Sequence, residues 1–139
     1  MLGHVGINVS DLERAKTYYA QLMPLMGFEL YRNDPDQFSY RCEGGKPGTY
    51  LYFYPALEAS HFSRHHTGLQ HLAFVVPSRA AVHAVHAKAQ ELGSEVIHPP
   101  QEFPQYQRPM SHRPPGYYAT FWSDPDGIML ECVCHQPDG

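Results

Sequence analysis

Three side chains in this sequence have the types and positions to serve one divalent cation: His4, His71 and Glu131. Imidazole nitrogen and carboxylate oxygen are good ligands for divalent first-row ions. Two imidazoles with one carboxylate also leave coordination positions open for water and substrate. Such an ion acts as a Lewis acid or an oxygen activator, whereas structural zinc sites are closed and usually rich in Cys. Singly, each residue has an ordinary explanation. His4 near a terminus and His71 on an apolar strand fit core or rim histidines, and Glu131 fits an edge-strand carboxylate facing water. What joins them is their placement in a repeat.

The stretch Leu69-Gln70-His71-Leu72-Ala73-Phe74-Val75-Val76 lies over Leu2-Gly3-His4-Val5-Gly6-Ile7-Asn8-Val9, with a histidine at the same place in each. A helical pattern follows both, so the chain is read as a tandem repeat. In the first copy Val5, Ile7 and Val9 alternate as a half-buried strand, and Ser10-Asp11-Leu12-Glu13 matches a capping box with Ser10 as the cap. The helix buries Leu12, Ala15, Tyr19, Leu22 and Met23 and closes at Pro24 and Gly27. Strands are predicted at 28–32, 37–42 and 50–54. In the second copy a helix is predicted over 78–92 and a strand over 94–98, followed by a proline-rich loop, 99–115, of a length that suits a lid or binding element. The chain then closes in a hairpin around Asp124-Pro125-Asp126-Gly127. On its returning strand Glu131 shares a face with Met129 and Val133. Extending the repeat this far puts Tyr52 where the second copy has Glu131. The expected organisation is one domain over 1–139, with modules at about 1–55 and 69–135 joined by a crossover at about 56–68.

Composition narrows the function. The net charge is -4 and the ten Lys and Arg are scattered, which argues against a nucleic-acid surface. No stretch approaches the ~20 apolar residues that span a bilayer, and the start, Met1-Leu2-Gly3-His4, does not read as a secretory leader. With three cysteines and no CxxC, a reduced, cytoplasmic protein is expected, its thiols serving as small apolar filler. Ten His, ten Tyr and seven Phe suit a pocket for a small, partly polar molecule. Tyr50, Tyr52 and Tyr54 fall on one strand face and either line that pocket or form an aromatic core layer. Arg108, His112 and Arg113 are placed to grip an anionic substrate. Tyr117 and Tyr118 point to opposite faces, so at most one faces the pocket. His61 and His65 would pair only on a helical crossover, and His83, His86 and Gln90 fit the solvent-facing side of the second helix.

Taken together, His4-Val5-Gly6-Ile7-Asn8-Val9-Ser10-Asp11-Leu12, His71-Leu72-Ala73-Phe74-Val75-Val76 and Asp124-Pro125-Asp126-Gly127-Ile128-Met129-Leu130-Glu131 resemble the vicinal oxygen chelate superfamily. That superfamily holds glyoxalase I, extradiol dioxygenases, and fosfomycin- and bleomycin-resistance proteins. The resemblance implies an α+β fold, two βαβββ modules in tandem forming a curved, mostly antiparallel sheet around a cavity. It also implies a divalent metal (Fe, Mn, Ni, Zn or Mg) held by His4, His71 and Glu131. Many glyoxalase I enzymes carry a fourth ligand where this chain has Tyr52, so the set of two His and one Glu looks more like the extradiol dioxygenases and fosfomycin-resistance transferases. The implied chemistry is lyase, isomerase or dioxygenase action on a small substrate with adjacent oxygen atoms, with Tyr52 or Tyr118 as proton-handling candidates. The substrate pocket would be lined by Tyr50, Tyr52, Tyr54, Arg108, His112 and Tyr117. The alternative is a metal-free, bleomycin-resistance-like binding protein. A homodimer is expected.

Overall fold

The computed structural model describes residues 1–58, 60–106 and 116–136. The chain divides into two compact units, Met1–His61 and Phe62–Gly139. The first holds β1 (His4–Val9), α1 (Leu12–Leu22), β2 (Phe28–Asp34), β3 (Gln37–Cys42) and β4 (Tyr50–Pro55). The second holds β5 (His71–Val75), α2 (Arg79–Glu91), β6 (Val96–Glu102), β7 (Tyr118–Ser123) and β8 (Met129–Cys134). Each is one βαβββ module, as the repeat predicts. The strand orders are β1-β4-β3-β2 and β5-β8-β7-β6. In each sheet the first and last strands of the module pair in parallel and the other pairings are antiparallel. No helix among the described residues is long and apolar enough to cross a membrane.

Alternation along the strands separates two faces in each unit. In the first, Leu51 and Phe53 of β4 are buried with Phe38, whose ring stacks on Phe53 at 4.5 Å, and Tyr19 of α1 packs there too. In the second, α2 buries Val82, Val85 and Ala89 against β6, β7 and β8, and Trp122 is fully buried. Phe103, Ala119, Phe121, Met129 and Val133 form a separate apolar cluster, with Ile97 and Tyr117 packed against it. All six residues of β8 are buried, because it lies inside its sheet, between β5 and β7. The water-facing edge position considered for Glu131 is therefore not the one it holds.

Three local expectations are corrected. The cap of α1 is Asp11, not Ser10. The Asp11 side chain accepts from the backbone N–H of Arg14 at 3.0 Å, while Ser10 Oγ accepts from the Arg14 guanidinium. Asp and Ser cap about equally well, so the sequence pattern is degenerate by one residue. The strand predicted to end at His98 runs to Glu102 through Pro99 and Pro100. Proline is tolerated there because β6 is the outer strand of its sheet and its pairing shifts register on either side of His98. The loop read as 99–115 thus begins as strand, continues as a 3₁₀ turn at Pro104–Tyr106, and its remainder lies outside the described residues. The segment holding His61 and His65 is not helical, so it does not present them one turn apart.

An ion pair in the first unit gives a pH-dependent prediction. Glu29 accepts from the backbone N–H of Gly44 and from the Arg41 guanidinium. These bonds, the Gly44 one first, hold its carboxyl below the ordinary value of 4.5. A depressed folded-state value contributes stability above the unfolded carboxylate range, and that contribution is lost as pH falls through the lowered value. Glu29→Gln should therefore shallow the loss of stability below about pH 4.5. Urea midpoints taken between neutral pH and pH ~3 would check this, and parallel acid limbs in the two proteins would refute it.

Candidate functional site

The strand registers make the two modules comparable position by position. His4 pairs with Tyr50 and Gly6 with Tyr52; His71 pairs with Met129 and Ala73 with Glu131. Tyr52 and Glu131 thus hold equivalent places, as the repeat predicts. Their chemistry differs. In the first unit the His4 ring meets the Tyr52 ring edge-on at 5.4 Å. In the second, His71 Nε2 lies 3.0 Å from Glu131 Oε1.

Glu131 is the unusual group. It is 1% exposed, in the middle of an apolar strand. A buried carboxylate is costly unless hydrogen-bonded and met by positive charge. Its Oε1 faces His71 and its Oε2 accepts from the Tyr117 hydroxyl. Burial first, and the Glu131 carboxylate second, push the Tyr117 phenol above its ordinary value, so at neutral pH it remains a donor. On the far side of His71, Nδ1 lies 2.8 Å from Gln70 Oε1. An amide oxygen and a carboxylate both only accept, so each ring nitrogen of His71 faces an acceptor, and the tautomer decides which one a neutral ring serves. With the hydrogen on Nδ1, Nε2 and Oε1 face each other as two acceptors, an arrangement that a positive charge between them stabilises, either a proton or a metal ion.

Aromatic rings pack beside the pair. Phe121 lies 5.9 Å from His71 and 5.5 Å from His98, and Phe103 contacts His98, Phe121, Tyr106 and Tyr117. His135 faces Tyr117 at 5.3 Å. Gly116 is required beside His135, because a Cβ there would come within 2.5 Å of the His135 carbonyl oxygen.

Of the residues expected at the site, the second unit brings together His71, Glu131 and Tyr117. Tyr118 turns to the other face, where its hydroxyl meets His83 Nε2 at 2.7 Å and the Arg79 guanidinium covers its ring at 4.5 Å. His83 and Gln90 lie exposed on α2, as expected, and His83 is also bonded to Tyr118. His86 is part-buried, with Nδ1 enclosed and its imidazole held below its ordinary value by burial and then by His83. Tyr50, Tyr52 and Tyr54 belong to the first unit, on the face of β4 opposite Leu51 and Phe53. There Tyr52 and Tyr54 run nearly parallel at 6.3 Å and Tyr31 meets Tyr50 at 5.2 Å. Arg108 and His112 lie outside the described residues. Among the described residues, no three His, Cys, Asp or Glu side chains form a group able to hold a metal ion. Cys132, on the opposite face of β8, has its thiol pushed up to about 12, chiefly by burial, which suits packing and not nucleophilic chemistry. The sequence reading did not single out Gln70, Phe103, Phe121 or His98.

Comparison with known proteins agrees with this architecture. A family model described as the Glyoxalase/Bleomycin resistance protein/Dioxygenase superfamily matches residues 1–132. The uncharacterized protein YqjT of Bacillus subtilis (strain 168) is 28% identical over 133 residues, covering 94% of this chain and 95% of that protein. The crystal structure of a glyoxalase candidate from Bacillus halodurans is 32% identical with a TM-score of 0.75, covering 96% of this chain and 95% of that one. A glyoxalase/bleomycin resistance protein from Albidiferax ferrireducens T118 has a TM-score of 0.76 at 20% identity, covering 96% and 98%; at that identity the likeness speaks for the fold alone.

Proposed function

The chain belongs to the Glyoxalase/Bleomycin resistance protein/Dioxygenase superfamily, and from that premise we propose that it is a metal-dependent enzyme acting on a small substrate with adjacent oxygen atoms. The observation that carries the proposal is the part-buried contact between His71 Nε2 and Glu131 Oε1 at 3.0 Å. Two atoms bound to one ion at ~2.1 Å and at right angles lie ~3.0 Å apart, so the pair fits a shared divalent ion. His71 and Glu131 would hold it. When bound, the ion supplies Lewis-acid stabilisation of negative charge developing on a substrate oxygen. The protein's own part is to bind and to exclude water. Phe103 and Phe121, buried in the apolar cluster beside the pair, keep water from it, and Tyr106 stacks on Phe103. The Tyr117 hydroxyl keeps a proton beside the carboxylate. The chemistry is of the lyase, isomerase or dioxygenase type.

A second reading, a metal-free binding protein, draws support from the fact that both Glu131 oxygens already have partners in the protein. Metal analysis separates the two. Protein purified without chelator, or reconstituted with Fe, Mn, Ni or Zn, is expected to carry a near-stoichiometric divalent ion, and oxygen uptake with catechols under Fe(II) would mark the dioxygenase class. No binding of any of these ions would sink the enzyme reading in favour of the binder. The proposal also takes the protein to be cytoplasmic and a homodimer.

A further inference from the structure

The atoms of His71 and Glu131 that face each other are held from outside. Gln70 Oε1 sits 2.8 Å from His71 Nδ1, and the Tyr117 hydroxyl donates to Glu131 Oε2. We propose that Gln70 and Tyr117 are positioning residues that aim Nε2 of His71 and Oε1 of Glu131 at one point. The purpose of the clamp rests on the metal reading above; its geometry does not.

Each bond removes one freedom. A neutral imidazole carries its hydrogen on either nitrogen, and a ligand nitrogen must be the one without it. An acceptor at Nδ1 keeps a hydrogen there, so that Nε2 is the nitrogen left for a cation. A carboxylate turns about its last bond, so a donor on Oε2 fixes Oε1 toward His71. Tyr117 is itself steadied by edge-on contacts with Phe103, Tyr106 and His135. Outer partners of this kind orient metal-ligating side chains generally. The first unit supplies a contrast. At the equivalent places it has Gly3 before His4 and Tyr52 on the last strand, so there is neither a side-chain acceptor like Gln70 nor a carboxylate to clamp.

The test uses Gln70→Leu, Gln70→Glu and Tyr117→Phe in the full chain, with two kinds of readout. The first needs no metal. Long-range ¹⁵N spectra of the His71 ring in metal-free protein should show hydrogen on Nδ1 in the wild type and in Gln70→Glu, and lose that preference in Gln70→Leu. Isotope-edited infrared spectra should show the Glu131 carboxylate stretch moving in Tyr117→Phe. The second readout is affinity for Co(II), followed by its visible absorption. Gln70→Leu and Tyr117→Phe should bind roughly 10–100-fold more weakly, while Gln70→Glu, which keeps the acceptor, holds affinity. If the wild type binds no Co(II) but the spectra change as described, the metal reading fails and the clamp stands. Absence of hydrogen from Nδ1 in the metal-free wild type, or spectra unmoved by Gln70→Leu and Tyr117→Phe, overturns the clamp.

Discussion

Glu131→Gln is expected to lose about a hundredfold or more in divalent-metal affinity, since a direct ligand matters at least as much as its outer partners, while keeping the fold. The separation of the two effects follows from the hydrogen bonds. A glutamine at 131 can still accept from the Tyr117 hydroxyl through its amide oxygen, and its amide N–H₂ would face His71 Nε2, an acceptor. Every buried polar atom keeps a partner without a cation. The charge that would attract the ion is gone. Glu131→Leu should behave differently, leaving the Tyr117 hydroxyl and His71 Nε2 without their partner at a further cost of about 1–3 kcal/mol in stability. Isothermal titration with Co(II) or Zn(II) and thermal melts of both variants would check the prediction. Wild-type affinity in Glu131→Gln would remove Glu131 from the ligand set.

Asp124→Ala should destabilise the protein by about 2–4 kcal/mol, the cost of leaving two backbone donors without an acceptor. Asp124 is buried, and its Oδ1 accepts from the backbone N–H groups of Asp126 at 2.8 Å and Ile128 at 2.9 Å. The backbone bonds Gly127 N–H to Asp124 C=O and Asp124 N–H to Ile128 C=O, with Gly127 at φ 89°, complete the turn. This small knot sets the register of β7 on β8, in which Phe121 lies opposite Glu131. Asp124→Asn keeps an acceptor oxygen and should lose far less. Denaturant unfolding of both variants is the measurement, and equal losses would mean that the charge of Asp124, not its geometry, holds the turn.

The repeat, the two βαβββ modules and the equivalence of Tyr52 with Glu131 were legible because strand alternation and the His-strand motif survive in both halves. The choice between Tyr117 and Tyr118 was not. It depends on hairpin register, and only once Phe121 is known to oppose Glu131 does two-residue alternation put Tyr117 on the carboxylate's side. Gln70 escaped for a related reason. Neighbours on a strand point to opposite faces, so periodicity sets Gln70 away from His71. Gln70 precedes the first residue of β5 and is free of that alternation. His86 was misread because a helix wheel marks its flank as polar, while the packing that encloses its Nδ1 is something no local pattern reveals.

The two consecutive prolines in β6 have an effect on how molecules meet. They sit on the terminal strand of the β5-β8-β7-β6 sheet and lack the amide hydrogens that an incoming ribbon would need to zip alongside. That rim is therefore a poor template for intermolecular stacking, and replacing both prolines should raise the tendency to form fibrils without altering the folded interior.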